Sequence, residues 1–208
     1  MTPEHASPGE FLSALENALM GGPVACLQLR LKGQSDADIL AMASAVKPLC
    51  DANDVALVVN DRADLAKRAG ADAVHLGQSD GDLRAARDLL GNDVAVGVTC
   101  HASRHLAMKA GEAGADYVAF GAFFDSPTKT SLHRPAPEIL TWWTSISELP
   151  CVAIGGITPE NCAPLVAAGA DMLAVSSAVW DHKVSPEAAV RDFHEAMEAN
   201  APEVKTRA

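Results

Sequence analysis

Three side chains able to bind anions alternate along an apolar run near the start of the chain. The run ends in QLRLK, so that Gln28, Arg30 and Lys32 share one face of a strand and the intervening leucines share the other. If the leucines face covering helices, the polar side chains point the opposite way. Arginine and lysine side chains in this arrangement suit phosphate oxygens.

Two carboxylates follow later apolar runs and would repel the same anion. Asp61 comes after VVN and Asp80 after HLGQS, while Lys129 in the segment SPTKTS adds a third cation. A hard divalent cation removes the conflict, because Mg²⁺ is typically held by one or two carboxylates while substrate phosphates fill other positions. The sequence therefore predicts a diphosphate bound together with Mg²⁺, with Asp61 and Asp80 as the metal ligands.

Glycines and hydroxyls follow the last two apolar runs. The segment IGGITPEN places Gly155 and Gly156 before an expected helix start, and VSSAV places Ser176 and Ser177 after the final run. In parallel barrels the corresponding loops often bind a phosphate monoester through backbone N–H groups. The alternative for the two glycines is tight packing at the rim of the barrel.

These residues need a scaffold that gathers the ends of separate strands. Seven apolar runs predict strands at 24–30, 55–60, 72–77, 94–99, 116–121, 151–155 and 171–177. A repeated AGAD precedes three of them, as a helix closed by glycine turns into a buried strand. Alternating helices and strands of this kind indicate parallel strands joined by right-handed crossovers.

The pattern predicts one α/β domain over residues 1–208, a (βα)8 TIM-barrel type with its first strand missing. The segment MTPEHASP, before a helix expected at about 8–20, has two prolines and no apolar run. Residues 1–8 and about 200–208 are expected to be loosely ordered. An open barrel exposes strand edges, which leaves a homo-oligomer possible.

Each candidate residue also has a purely local interpretation. Asn60 or Asp61 could cap the helix RADLAKRAG, and Asp80 could cap the helix that starts near Leu83. His75 could line the barrel interior or be a buried, hydrogen-bonded histidine. Residues typical of N-caps and first turns predict three further helix starts, at Ser35, at Thr158-Pro159-Glu160 and at Ser185-Pro186-Glu187. What favours a site is that the polar residues all follow strands, and so meet on one rim.

Composition limits the functions that remain. A net charge of −11 over 208 residues argues against nucleic-acid binding, which depends on basic side chains. The longest apolar runs are too short for a membrane span, and the amino-terminal residues do not resemble a signal peptide, so we expect a cytoplasmic protein. Five scattered cysteines suggest neither a disulfide framework nor a zinc site, and are expected to be small, reduced hydrophobic residues.

Taken together, the motifs resemble those of the thiamine phosphate synthase family, which has thiazole tautomerase as a relative. The similarity runs from about residue 24 to 180 and is carried by QLRLKG, NDRADLAKRAGADAVHLGQSD, GVTCH, GADYVAFGAFF, VAIGGITPEN and AGADMLAVSSAV. Singly, GADYVAFG or IGGI would fit many phosphate-binding barrels.

The resemblance implies a transferase that joins hydroxymethylpyrimidine diphosphate to thiazole phosphate, giving thiamine phosphate and pyrophosphate with Mg²⁺ as cofactor. It implies three groups of residues: the diphosphate ligands Gln28, Arg30, Lys32, Asn60 and Lys129; the metal ligands Asp61 and Asp80; and, for the thiazole phosphate, Ser126, Thr128, Gly156, Ser176 and Ser177. Thr99 stands where the family has a hydroxyl on the pyrimidine. Arg30, Lys32, Lys129 and Thr99 would assist the reaction.

Three features depart from the family, one of which is Leu31, where the family usually has an acidic residue between the positions of Arg30 and Lys32; by the alternation Leu31 faces away from the substrate. The family loop usually reads P-T-x-T-K, whereas this chain has Asp125-Ser126-Pro127-Thr128-Lys129, which adds a negative charge beside an anion site. The first strand is also absent. A thiazole tautomerase, which needs no diphosphate or metal, and a non-catalytic thiazole-phosphate-binding paralogue are therefore the alternatives.

Overall fold

The fold is a curled parallel sheet whose strands alternate with helices. The computed structural model describes residues 1–4, 6–125 and 134–202. Its strands are β1 (Cys26–Leu29), β2 (Ala56–Asn60), β3 (Ala73–Leu76), β4 (Ala95–His101), β5 (Tyr117–Gly121), β6 (Cys151–Ile154) and β7 (Met172–Ala174). They pair in chain order from β1 to β7, all in parallel. The prediction of a TIM-barrel type with seven parallel strands is confirmed.

Nine helices lie in the described part of the chain. They are α1 (Pro8–Leu19), α2 (Asp36–Ala52), α3 (Ala63–Ala69), α4 (Leu83–Leu90), α5 (Arg104–Glu112), α6 (Glu138–Ile146), α7 (Ala163–Ala167), α8 (Ser177–Trp180) and α9 (Pro186–Asn200). Two apolar clusters fill the space between helices and sheet. One surrounds β1 to β3 and includes Leu27, Leu29 and Leu31, and the other surrounds β4 to β7 and includes Phe120 and Trp143.

Two predicted helix starts are confirmed and one is wrong. Ser35 caps α2 by accepting from Asp38 N–H in a capping box, and Ser185 caps α9 by accepting from Ala188 N–H. The start expected at Thr158 lies too early, because α7 begins only at Ala163. Residues 158–161 form a separate turn, in which Asn161 Oδ1 accepts from Thr158 N–H.

The amino-terminal residues lie in the gap between β7 and β1. No strand is assigned among residues 1–4 and 6–7, as expected, but Thr2 is only 2% exposed. Thr2 N–H donates to Gln28 O of β1, and the Met1 amino group donates to Val175 O directly after β7. These contacts order the start of the chain, where the sequence had suggested looseness, and they bridge the two sheet edges at one end.

The repeated AGAD has a structural function that the sequence does not reveal. The aspartates Asp72, Asp116 and Asp171 precede β3, β5 and β7, and each accepts a hydrogen bond from a backbone N–H of the preceding strand. The backbone N–H of each aspartate donates to the carbonyl of the same residue in that strand. The glycine two residues before each aspartate has a positive φ, which closes the helix. Each repeat therefore fixes the register of two neighbouring strands at their amino ends.

Replacing Asp171 tests this function without also breaking a salt bridge. Asp72 and Asp116 pair with Lys47 and Arg87, whereas within the described residues no lysine or arginine lies within salt-bridge distance of the Asp171 carboxylate. Asp171→Ala leaves Cys151 N–H without its acceptor, and we expect unfolding by urea to show a loss of about 1–2 kcal/mol. Asp171→Asn retains an acceptor oxygen and should lose less. The matched control is Asp93→Ala, which removes an exposed carboxylate just before β4. Equal stabilities for Asp171→Ala and Asp93→Ala would contradict this interpretation.

Candidate active site

The end of β1 presents its polar side chains away from the helices, as the alternation predicts. Leu27, Leu29 and Leu31 are all less than 10% exposed and pack in the apolar cluster. On the other face, Gln28 Nε2 donates to Asn60 Oδ1 of β2 across 2.8 Å. The ends of β1 and β2 therefore meet as predicted, and the local alternative for Asn60 is wrong, because its side chain is bound to Gln28 and the N-cap residue of α3 is Arg62.

Arg30 is held by the amino-terminal segment at both its backbone and its side chain. Arg30 N–H donates to Thr2 Oγ1 over 2.9 Å, and the guanidinium Nη1 donates to Glu4 Oε1 over 2.7 Å. Lys32 makes no salt bridge within the described residues. Both cations act on the Asp61 carboxyl electrostatically, which places the three groups in one region.

Asp61 and Asp80 lie side by side. Burial, followed by a hydrogen bond and charge repulsion from Asp80, raises the pKa of Asp61 to about 6, against the weaker opposing effects of Lys32 and Arg30. A carboxylate whose pKa is raised by burial and by a neighbouring carboxylate is in an arrangement that a divalent cation stabilises. No group of three or more histidine, cysteine or acidic side chains suited to a metal occurs in the described ranges. A pair of carboxylates, with ligand oxygens completing the shell, still fits Mg²⁺.

Neither carboxylate is used as a helix cap. Asp61 has a φ of 66° and its N–H donates to His75 O, and Arg62 follows it before α3 begins. Asp80 accepts from Gly77 N–H, and the residue that caps α4 is Asp82. The capping interpretation of Asp61 and Asp80 is therefore wrong, which leaves both side chains available to a ligand at the rim.

A cavity of about 310 Å³ opens at this corner of the barrel. It is lined by the ends of β1 and β2 and by the start of α2, through Leu29, Arg30, Leu31, Lys32, Gly33, Ile39, Asn60, Asp61 and Arg62. A wider depression of about 750 Å³ lies on the outer surface of α2 and α3, away from the strand ends. The smaller cavity is the one in which cationic, amide and carboxylate groups converge.

Thr99 is connected to two residues of the barrel interior. Its hydroxyl lies 2.8 Å from His75 Nε2, and His75 Nδ1 lies 3.0 Å from the Tyr117 hydroxyl. His75 is 8% exposed, and burial lowers its pKa to about 4, so the ring is neutral near pH 7. Of the two interpretations of His75, the structure supports both at once, since the ring faces inward and is hydrogen-bonded at each nitrogen. A neutral ring with two partners fixes the position of the Thr99 hydroxyl.

Tyr117 is a residue of this region that sequence reasoning missed. Its ring lies over Gly97, where an added Cβ would come within 1.9 Å of the Tyr117 ring. Burial raises the pKa of the Tyr117 hydroxyl, so it stays protonated and can donate a hydrogen bond. A glycine inside a strand signals a close approach of another group, but the sequence does not say which group.

The glycines of the second predicted site are explained by packing. Gly155 and Gly156 have φ values of 103° and 63°, and a Cβ on Gly156 would lie 2.2 Å from Asp125 O. Both glycines are therefore closely packed at the rim, and phosphate binding at Gly156 stays a prediction. The expectation that they directly precede a helix is wrong, because α7 starts at Ala163.

The remaining predicted phosphate residues are only partly described. Ser176 Oγ donates to Thr2 O over 3.3 Å, and Ser177 is the first residue of α8. Ser126, Thr128 and Lys129 lie outside the described residues, so their expected cluster with Arg30 and Lys32 stays a prediction. The charge of Asp125 is paired with Arg134, which holds the pKa of Asp125 below its usual value.

The fold and the rim define the class of protein: an α/β barrel with cationic side chains and a carboxylate pair at the carboxyl ends of its first strands. The thiamine monophosphate synthase family model matches residues 1–179. The chain is 56% identical over 197 residues to a thiamine-phosphate synthase of Rhodospirillum centenum, covering 95% of each chain. It is 55% identical over 195 residues to that of Erythrobacter litoralis, covering 92% of this chain and 91% of the relative.

Solved structures agree with the sequence comparisons. A thiamine phosphate pyrophosphorylase from Pyrococcus furiosus superposes with a TM-score of 0.85 at 26% identity, covering 97% of this chain and 95% of the other. A 3-hexulose-6-phosphate synthase from Salmonella typhimurium, at 15% identity and a TM-score of 0.71, shares the fold. This chain belongs to the thiamine monophosphate synthase family.

The neutrality of His75 can be measured directly. We expect NMR of the imidazole nitrogens to show a neutral His75 ring from pH 8 down to about pH 5. The signals of His75 are assigned as those that disappear in the His75→Gln variant. Since folding lowers this pKa from 6.5 to about 4, stability from the neutral ring is complete above pH 6.5 and is lost as the pH falls towards 4. A ring that titrates near pH 6.5 in the folded protein would contradict this environment.

Proposed function

We propose that this protein is a transferase that couples hydroxymethylpyrimidine diphosphate to thiazole phosphate, forming thiamine phosphate and pyrophosphate. This reaction is supported by membership of the family and by two relatives above 50% identity that are named thiamine-phosphate synthase. The observation that carries the proposal is the meeting of Arg30, Lys32 and Asp61 around one small cavity, with Asp80 directly beside Asp61. Cations and carboxylates together suit a diphosphate that arrives with a divalent metal.

The reaction requires little covalent participation from the protein. The bond between the pyrimidine methylene carbon and the diphosphate oxygen breaks, and pyrophosphate leaves with the electron pair. The thiazole nitrogen then supplies its lone pair to that carbon, forming the new carbon–nitrogen bond. Arg30, Lys32 and Lys129 would stabilise the charge that develops on the departing pyrophosphate, while the rim holds both substrates in line.

Asp61 and Asp80 would hold Mg²⁺, which when bound supplies further positive charge to the diphosphate. Gln28 and Asn60 would bind diphosphate oxygens through the amide hydrogens that their mutual hydrogen bond does not use. Thr99, oriented by neutral His75, would donate to or accept from the pyrimidine. The thiazole phosphate would bind at Gly156, Ser176 and Ser177, together with Ser126 and Thr128.

Neither alternative gains support. A tautomerase of thiazole phosphate would need no carboxylate pair, and the pairing of Asp125 with Arg134 reduces the case for a charge-blocked, non-catalytic site.

No helix in the described part of the chain is long and apolar enough to cross a membrane. The five cysteines are free thiols, four of them buried and Cys26 exposed, which fits a reducing compartment, so we propose a cytoplasmic location. A homo-oligomer stays a prediction.

Asp61→Asn tests the metal assignment. It keeps the shape of the side chain and removes the charge that binds Mg²⁺, so we expect a fall of at least about 100-fold in magnesium-dependent formation of thiamine phosphate. Product is measured by its fluorescence after oxidation. The matched control is Asp64→Asn, three residues further on, whose carboxylate pairs with Arg62. Full activity in Asp61→Asn would refute the metal assignment.

Arg30→Lys tests the shape of the anion site, because lysine keeps the charge but lacks the planar fork of donors. We expect kcat/KM for the diphosphate substrate to fall by about 10- to 100-fold, with a smaller effect on KM for thiazole phosphate. Arg191→Lys, on the exposed face of α9, is the control. An equal effect on both substrates would argue against a diphosphate-specific role for Arg30.

A further inference from the structure

The guanidinium proposed to bind diphosphate already carries a carboxylate. Glu4 Oε1 lies 2.7 Å from Arg30 Nη1, and the two side chains are 34% and 18% exposed. A carboxylate and a phosphate present the same kind of acceptor to arginine, and both form charge-assisted bonds to its N–H groups. Glu4 therefore occupies a position on Arg30 that a diphosphate oxygen would also take.

Glu4 has little freedom to move away. Thr2, two residues earlier, is buried and fixed by hydrogen bonds to Gln28 O, to Arg30 N–H and to Ser176 Oγ. Two residues of chain span at most about 7 Å, so the backbone of Glu4 stays near the rim whatever binds there. Its negative charge consequently remains close to any diphosphate that reaches Arg30.

The other charged groups in this region do not replace Glu4. Asp61 feels the charges of Arg30 and Lys32, but its carboxyl is hydrogen-bonded to Asp80. Lys32 has no acidic partner within 4 Å among the described residues, so of the two cations only Arg30 is neutralised in this way.

We propose that Glu4 sets the affinity of the site for the diphosphate group, weakening its binding by competing for Arg30. The proposal rests on the proposed function, since Arg30 must be a diphosphate ligand. Pyrophosphate, the product, carries the same group, so the competition also favours its release. Upon departure of pyrophosphate, Arg30 returns to Glu4.

The experiment is calorimetric titration of inorganic pyrophosphate with Mg²⁺ into the full chain. Glu4→Gln keeps the shape of the side chain and removes the charge, and we expect pyrophosphate to bind about tenfold more tightly, equivalent to about 1.4 kcal/mol. The control is Glu10→Gln, which removes the same charge from α1, where Glu10 accepts from Ser7 and does not touch Arg30. A gain shared by both variants would be a general charge effect and would overturn the proposal.

Two further variants separate the possible failures. In an Arg30→Ala background, Glu4→Gln should have no additional effect, because the competition requires Arg30. Glu4→Asp, which keeps the charge on a shorter side chain, should bind pyrophosphate with an affinity between those of the parent and Glu4→Gln, and it provides a second test if Glu4→Gln fails to fold.

The outcomes distinguish this proposal from the proposed function. If the parent chain binds pyrophosphate, Arg30→Ala weakens binding and Glu4→Gln leaves it unchanged or weaker, the proposed function stands and the competition is refuted. If neither the parent chain nor Glu4→Gln binds pyrophosphate, the diphosphate site itself is refuted, and the inference with it. Measured inhibition of the reaction by pyrophosphate should follow the same order, with Glu4→Gln the most strongly inhibited.

Discussion

Parallel hydrogen bonding in unbroken chain order is the constraint on which the rest of the structure depends. Because β1 to β7 pair successively in one direction, the residue after every strand emerges on the same rim. Side chains 32 residues apart, such as Gln28 and Asn60, are thereby brought within hydrogen-bond distance. The same geometry gathers like charges, so that Asp61 lies beside Asp80 and each carboxylate repels the other.

The side chains at the two ends of the strands have different functions. At the amino ends, Asp72, Asp116 and Asp171 satisfy backbone N–H groups and fix the register, so their charges are used in folding. At the carboxyl ends, Asp61 and Asp80 are not engaged in helix caps. This division matches the general separation of stability and catalysis between the two faces of such barrels.

Local pattern was sufficient to predict most of the fold. All seven strands lie where the apolar runs indicate, and Ser35 and Ser185 cap helices as their positions suggest. The start of α7 was missed, because Thr158-Pro159-Glu160 has the composition of a helix start but forms a turn stabilised by Asn161. Composition alone cannot distinguish a helix N-cap from an isolated turn that uses the same residues.

The candidate site was predictable in its residue types but not in its pairings. The alternation of Gln28, Arg30 and Lys32 indicates a common face, which the burial of the leucines confirms. Contacts between distant segments carry no local signal, and this is why the bond from Glu4 to Arg30 and that from His75 to Thr99 could not be foreseen. Both contacts depend on how distant segments of the chain pack together in the folded barrel.

The backbone of Asp61 has a consequence for engineering. Its φ of 66° lies in the left-handed region, which glycine adopts without a steric cost and most other residues do not. A library of variants selected only for thermal stability would therefore tend to enrich glycine at this position. If Asp61 is a metal ligand as proposed, screens for heat resistance and screens for turnover should consequently diverge at residue 61.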